Sequence, residues 1–359
     1  MIIVGPEDPL VNGIHDFFAK DEQTKPIAII GPKKKAASLE GSKDFAKKFL
    51  TRHNIPTASY ATFTKDNLND GFEFLKTLTP PYVLKADGLA AGKGVLIIDN
   101  LEEANNELRE MLVGEKFGIA SSKVVIEEFL DGIELSCFVL TDGVNYKVLP
   151  TAKDYKRIGE GDSGLNTGGM GAISPVPFAK KELLNKIEQN IIIPTIQGLK
   201  KDGIEYQGFI FIGLINVNDE PKVIEYNVRM GDPETEAVLP RIQNDFVEIF
   251  QSFKDKTLDK IELKIDNRSA ATVVLVSGGY PSNYNKGIKI TGIDRVVDST
   301  VYHAGAIQKE GSVYTNGGRV LAITSFGDNF QQALDNSYKS ASKINFDRMY
   351  YRKDLGFDL

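Results

Sequence analysis

Cysteine is almost absent from this 359-residue chain. The single Cys137 excludes an intrachain disulfide and any zinc site built on cysteine. Histidine is nearly as scarce. His15, His53 and His303 lie too far apart in sequence to suggest a metal cluster or a triad, so each reads as a structural or exposed side chain. No apolar run is long enough for a signal peptide or a membrane span, which with the lone cysteine points to the cytoplasm. A basic excess is missing too. Lys and Arg number 43 against 49 Asp and Glu, for a formal charge of -6 and a pI near 5.4. A surface that tracks nucleic-acid phosphates needs the opposite balance, so neither nucleic acid nor membrane is an expected partner. Lys33-Lys34-Lys35 reads as solvated loop charge.

What is present is globular. Hydrophobic residues make up 42% of the chain, and strand and helix patterns alternate throughout, which predicts two or three domains of α/β class, α+β in part. Residues 1–5 and 27–31 read as strands around a helical 10–18, one βαβ unit. Residues 38–52 read as a helix, with Ser42 or the preceding Gly41 near its start. Strands are expected at 55–63, 82–85, 95–99 and 123–129, with helices over 68–78 and 101–112. Two strands in 136–150 flank the hairpin signal Thr141-Asp142-Gly143. A Gly-rich segment, 159–171, precedes a helix over 180–200. Strands 208–217 and 222–228 pair around Asn218-Asp219-Glu220, and a helix covers 245–253. The charged stretch 254–267 marks the border of a last α/β domain from about 268.

Residues 223–234 carry the most chemistry. An extended chain alternates faces, so Glu225, Asn227 and Arg229 share one side while Tyr226 and Val228 share the other. A carboxylate and an amide oxygen two residues apart are hard ligands suited to Mg2+ that also binds phosphate. Arg229 next in line suits an anion beside the metal. Gly231-Asp232-Pro233 ends the strand in a turn. The competing reading is a solvated edge face.

Between the apolar runs at 82–85 and 95–98 lies Lys85-Ala-Asp-Gly88-Leu-Ala-Ala-Gly92-Lys93-Gly94. A Walker loop needs one more residue of spacing and a Ser or Thr where Gly94 stands, and it opens a helix instead of joining strands. A glycine-rich hairpin tip can instead close over phosphates, with Lys85 as a fixed positive charge; the alternative is a plain flexible turn. After the next strand come Glu127-Glu128-Phe129-Leu130, where backbone groups can read an adenine edge, and Glu134, which can accept bonds from ribose hydroxyls. Ordinary exposed strand-end carboxylates are the other option for Glu127 and Glu128. Asp154, Lys156 and Arg157 with Asn166-Thr167-Gly168-Gly169-Met170-Gly171 bracket a loop that suits a small zwitterion or serves structure alone. Gly278-Gly279-Tyr280-Pro281, His303-Ala-Gly305 and Asn316-Gly317-Gly318-Arg319 read as structural turns.

A phosphate-closing hairpin with an upstream Lys, a ribose Glu and a Glu-x-Asn strand, in that order, resemble the ATP-grasp ligases. Within that superfamily, Leu39-Glu-Gly-Ser-Lys43, the 85–94 and 166–171 motifs and Glu225-Tyr-Asn-Val-Arg-Met-Gly-Asp-Pro-Glu234 look like the phosphoribosylamine–glycine ligase family of purine biosynthesis. Gly5-Pro-Glu-Asp-Pro-Leu10 and Thr315-Asn-Gly-Gly-Arg319 extend the likeness to both ends. The resemblance implies ATP-dependent ligation of glycine to 5-phosphoribosylamine through a glycyl phosphate. It implies Glu225 and Asn227 on Mg2+ (or Mn2+), with Lys43 and Lys85 on the nucleotide phosphates. Residues 88–94, Lys93 included, would form a lid and 127–134 the nucleotide edge. Catalysis would rest on Arg229, Lys85 and Glu225. Arg229, Asp232, Pro233 and the 154–171 segment would orient glycine, and Gly5, Pro6 and Glu7 would face the ribose phosphate.

One departure accompanies the likeness. Members of this family begin with a strand, Gly-rich turn and helix ahead of the strand found here at 1–4, so roughly two βα units of the N-terminal domain are expected to be missing. The domain expectation is a remnant N-terminal domain at 1–42, an ATP-grasp domain at 43–255 with a small lid subdomain near 56–130, and a C-terminal domain at 268–359. A monomer is expected. The alternatives are a ligase-inactive fragment that binds Mg-ATP, or another ATP-grasp carboxylate–amine ligase.

Overall fold

The computed structural model describes residues 1–90 and 93–359. Contacts divide the chain into two compact units, 1–148 with 181–230 and 247–261, and 149–180 with 231–246 and 262–359.

In the first unit Ile2–Ile3 and Ile29–Ile30 pair in parallel, the βαβ start that the sequence predicts. The connecting helix is two pieces, Glu7–Val11 and Ile14–Lys20. Gly13 breaks it with a left-handed φ of 90°. The helix expected over 38–52 is also two, Lys34–Gly41 and Lys43–Arg52. Ser42 is extended (φ -145°, ψ 115°) and its hydroxyl accepts from Phe45 N. An N-capping serine thus wins over helix continuity. That break gives Glu40 and Lys43, three residues apart, separate partners: the Glu40 side chain takes Arg229 and the Lys43 N–H takes Asp87 O.

Strands Tyr60–Thr64, Lys123–Glu127, Tyr82–Ala86 and Val95–Ile98 form an antiparallel sheet in that spatial order. Helices Leu68–Thr77 and Leu101–Leu112 present Leu75, Leu108 and Met111 to Phe63, Leu84 and Ile126 of this sheet. A second antiparallel sheet runs Glu220–Asn227, Gly208–Val217, Ile133–Thr141, Tyr146–Val148. Asn218 and Asp219 turn its hairpin with φ of 51° and 63°, the left-handed pair that matches strand twist. The helix expected over 180–200 contains a wide π turn, Glu188–Ile192, between Lys181–Ile187 and Ile193–Lys201. Pro194, just after it, lacks the N–H that a regular α ladder would use.

The second unit is built on an antiparallel sheet ordered Thr300–His303, Arg319–Gly327, Ser269–Val276, Gly171–Ser174, Lys153–Asp154. Helix Phe330–Ala341 packs Ala333 and Leu334 in a core with Val273, Leu321 and Ile323. The Gly-rich segment is not all loop. Arg157–Gly159 and Ser163–Asn166 pair as a short hairpin, invisible in a pattern diluted by Gly159, Gly161 and Gly164. Among the described residues no helix is long and apolar enough to cross a membrane.

Candidate active site

In the first unit two lysines share one buried carboxylate. Lys47 Nζ lies 3.0 Å from Glu127 Oε2 and Lys85 Nζ 3.0 Å from Oε1, with side-chain exposures of 3%, 5% and 7% for Lys47, Glu127 and Lys85. Burial works to raise the Glu127 carboxyl, but the charges and hydrogen bonds of Lys85 and Lys47 hold it below the ordinary range. Burial pushes the Lys47 ammonium down to about 8 against the pull of Glu127. Lys47 also donates to Thr57 Oγ1 at 2.7 Å, and Thr57 Oγ1 donates to Val223 O at 2.7 Å. The lysine pair is therefore tied to the strand Glu220–Asn227.

Lys43 opens its helix beside this cluster. Its backbone N–H donates to Asp87 O, while Asp87 Oδ1 accepts from Ser42 Oγ and Asp44 N, so the 85–88 motif caps the helix that the 39–43 motif begins. Burial lowers the Lys43 ammonium, and Glu225 opposes that shift while Lys85 adds to it. Lys43 thus sits in the field of both the lysine cluster and Glu225.

Glu225 and Asn227 flank Tyr226 at the end of the strand Glu220–Asn227; Tyr226, Asn227 and the following Val228 are buried, and Val228 and Arg229 lie in a bend past the strand instead of continuing its faces as the sequence predicts. Tyr226 packs against Phe49 at 6.3 Å between ring centroids and bonds Thr195 through its hydroxyl. Glu225 faces Gly213 across the ladder, where a Cβ would stand 3.3 Å from the glutamate Cγ. Neither the Glu225 carboxylate nor the Asn227 amide takes a hydrogen bond from a described side chain. Such a donor set fits a hard cation, and among the described residues no three His, Cys, Asp or Glu group into a cage. An ion here would take its other ligands from phosphate and water.

Arg229 is held by carboxylates. Its Nη2 donates to Glu40 Oε1 at 2.8 Å, Nε lies 3.4 Å from Glu7 Oε2, and Nη1 donates to Met230 O at 3.2 Å. Glu40 Oε2 accepts from Val228 N at 2.7 Å. Burial pushes the Glu40 carboxyl up to about 7, against Arg229 and the Val228 N–H. Gly5 and Pro6 are exposed just before Glu7.

Strands Tyr82–Ala86 and Val95–Ile98 pair antiparallel, and the described residues between them form no helix. Gly88 bonds Ala120 O, and a Cβ there would meet Ala120 Cα at 3.0 Å. Gly94 O accepts from Ala86 N and Lys93 is exposed; Gly92 lies outside the described residues. Beyond Glu127, Glu128 Oε1 accepts from Ser59 N at 2.9 Å. Phe129 and Glu134 are exposed and Leu130 is half-buried.

In the second unit Thr167 bonds Lys156 O through both its N–H and hydroxyl, and Arg157 Nη1 donates to Gly164 O. Lys156 Nζ lies 3.9 Å from Asp154 Oδ2, and exposed Asn166 pairs with Arg157 across the hairpin. Gly168 N–H donates to Tyr280 OH at 2.9 Å, while Gly168 O accepts from Arg319 Nη1 at 2.7 Å. Gly169 has φ 117°, and a Cβ there would stand 2.3 Å from Pro233 Cδ. Met170 is fully buried with Val274, Val276 and Ala322, so its side chain packs a core while its neighbours form the loop. Asp232 pairs with Arg319 through two bonds.

Sequence reasoning missed Lys47, Glu40 and Arg319. Lys47 shares a helix with Lys43 one turn on, a spacing that could have flagged it. Glu40 and Arg319 lay inside quoted motifs, but only three-dimensional pairing gives them partners. His15 bonds Gly31 O and His53 packs on Phe49 near Asp202.

The fold, the lysine-bearing hairpin sheet and the Glu-x-Asn strand define an ATP-grasp enzyme. A biotin carboxylase from Campylobacter jejuni shares the fold at TM-score 0.72 and 14% identity, over 99% of this chain and 77% of that one. Models of the phosphoribosylglycinamide synthetase N domain, ATP-grasp (A) domain and C domain match residues 1–40, 41–235 and 270–358. The phosphoribosylamine–glycine ligase of Vibrio vulnificus (strain CMCP6) is 46% identical over 360 residues, covering 99% of this chain and 82% of that protein. The crystal structure of the ligase from Thermotoga maritima superposes at TM-score 0.83 with 37% identity, over 94% and 83%. The chain belongs to the phosphoribosylamine–glycine ligase family.

Proposed function

We propose that the chain joins glycine to 5-phosphoribosylamine at the expense of ATP, giving glycinamide ribonucleotide, ADP and phosphate, a step of purine biosynthesis. The observation that carries this reading is the buried Lys47–Glu127–Lys85 cluster, linked through Lys43 to the field of Glu225. A carboxylate is a poor electrophile, so glycine first attacks the γ-phosphorus of ATP, the β–γ bridging P–O bond breaks, and ADP leaves. The amine then attacks the acyl carbon of glycyl phosphate, the C–O bond to phosphate breaks, and the nitrogen sheds its proton. Such chemistry needs positioning and electrostatics more than a protein nucleophile.

Lys43 and Lys85 hold nucleotide phosphates, with Glu127 and Lys47 fixing Lys85. Residues 88–94, including Gly92 and Lys93, close over them and exclude water from the acyl phosphate. Glu128, Phe129 and Leu130 meet the adenine and Glu134 the ribose. Glu225 and Asn227 would hold the divalent ion that ATP-grasp enzymes use, Mg2+ or Mn2+, both hard cations that keep water where few protein oxygens reach them. That ion, when bound, offsets negative charge on the phosphoryl oxygens. Arg229, Asp154, Lys156, Arg157, Asn166 to Met170, Asp232 and Pro233 orient glycine, and Gly5, Pro6 and Glu7 face the phosphoribosylamine. This divides the chain functionally at 1–42, 43–255 and 268–359. Cys137 is fully buried with its thiol pushed up to about 12, which leaves it inert toward disulfide exchange.

The test is ADP release with Mg-ATP and glycine, with and without freshly generated phosphoribosylamine. Release that needs both substrates supports the ligase; tight ATP binding with no substrate-dependent ADP contradicts it.

A further inference from the structure

Glu40 spends its carboxylate on two neighbours at the end of the Glu225 strand. Oε2 accepts the Val228 N–H at 2.7 Å and Oε1 accepts Arg229 Nη2 at 2.8 Å, from a side chain that is itself 8% exposed. Both partners directly follow Asn227. The carboxylate reaches them because the chain breaks its helix at Ser42, which leaves Glu40 at the close of Lys34–Gly41. A buried carboxylate that removes two donors from a strand end fixes both the backbone there and the plane of the guanidinium. Glu7 offers a second, looser anion at 3.4 Å from Nε, and it is one-third exposed. A bidentate match from one carboxylate would be the ordinary way to hold an arginine for stability alone. Here the oxygens are divided: Nη2 is committed to Glu40 and Nη1 to Met230 O, while Nε, buried 3.4 Å from Glu7 Oε2, makes no hydrogen bond.

We infer that Glu40 is a positioning residue for the ligation: it aims the Arg229 guanidinium and pins the strand end behind Asn227, so that the glycine carboxyl and its phosphorylated form meet Arg229 in one orientation. Glu40 itself touches neither substrate. The inference rests on the assignment of Arg229 to glycine made above.

Four variants test it in the full chain: Glu40→Gln, Glu40→Asp, Arg229→Ala and the double variant Glu40→Gln with Arg229→Ala. The amide keeps an oxygen for Val228 N but sets N–H groups against Arg229 Nη2. Expected for Glu40→Gln is a kcat lowered at least about tenfold, with ATP affinity by calorimetry within about twofold of the parent, because the Lys47–Glu127–Lys85 cluster is untouched. Glu40→Asp, which restores the charge at shorter reach, should recover part of the loss. The double variant should turn over no more slowly than Arg229→Ala, as two residues acting as one unit require. Guanidinium added at tens of millimolar should rescue Arg229→Ala where Glu40 is present and fail where Gln replaces it. Parental kcat in Glu40→Gln, multiplicative losses in the double variant, or equal rescue of both backgrounds would each overturn the inference. Should Glu40→Gln fold poorly, Glu40→Asp carries the same comparison: parental ATP affinity with lowered kcat supports positioning, and losses in both parameters together indicate a structural role. Full turnover by Arg229→Ala would remove the assignment of Arg229 itself, an outcome distinct from failure at Glu40.

Discussion

Arg319 and Asp232 face each other with two parallel hydrogen bonds, Nη1 to Oδ1 at 2.9 Å and Nη2 to Oδ2 at 2.7 Å. The same Nη1 donates to Gly168 O at 2.7 Å. One guanidinium thereby holds the turn after the Glu225 strand against the Gly-rich loop.

Arg319→Lys keeps the charge and loses the fork. Asp232 is more than half exposed, so stability should change by less than about 1 kcal/mol. The KM for glycine should rise about tenfold while ATP affinity holds, as steady-state kinetics beside calorimetry would read. A melting point that drops with kinetics unchanged would make the pair structural.

Gly169→Ala places a Cβ against the Pro233 ring at a φ of 117°. Strain and overlap together should cost about 1–3 kcal/mol. Thermal melts should show the loss, and glycine-dependent turnover should fall with it.

Lys47→Ala leaves the buried Glu127 carboxylate with Lys85 alone and Thr57 Oγ1 without its donor. Breaking a buried pair by removing one member costs about 3–5 kcal/mol, so denaturant midpoints should fall clearly. ATP affinity should fall too, since Lys85 loses its fixed anchor. Lys85→Ala should weaken ATP at least about tenfold, the scale of one charge-assisted hydrogen bond.

Glu236 gives the pH dependence. Burial first, then the charge of Asp232, pushes its carboxyl up from 4.5 to about 7, and its Oε2 is buried without a partner. A carboxyl whose folded pKa lies above its unfolded one favours the fold below about 4.5 and loses that contribution as pH rises through about 7. Glu40 acts in the same direction. Glu236→Gln should therefore match the parent near pH 4.5 and exceed it at pH 8 by about 1–3 kcal/mol, measured by urea titration at both pH values.

Particular residues show how much of this was legible. The alternation of Glu225 and Asn227 with Tyr226 is a plain period-2 signal, although the strand ends at Asn227, itself buried, and Val228 and Arg229 lie in a bend beyond it. The helix Leu101–Leu112 was equally plain, with apolar spacing and a capping Asn100. The cap at Ser42 was legible in part: Ser42 reads as near a helix start, but the expected range ran back to Ser38 across a cap whose partners include Asp87, 45 positions away. Lys47 was hidden for a related reason: a lysine on an amphipathic helix looks solvated until a carboxylate from another strand is folded onto it. Met170 went the other way. Its glycine neighbours marked it for a loop, while long-range pairing of Gly171–Ser174 with Ser269–Val276 carries it into a core.

The central claim is that glycine is activated as an acyl phosphate at this site. Glycine carrying 18O in both carboxyl oxygens, supplied with Mg-ATP and phosphoribosylamine, tests it by mass spectrometry of the released phosphate. One labelled oxygen per phosphate is the predicted result, because the oxygen that attacks phosphorus leaves with it. Unlabelled phosphate accompanying glycinamide ribonucleotide would contradict the account.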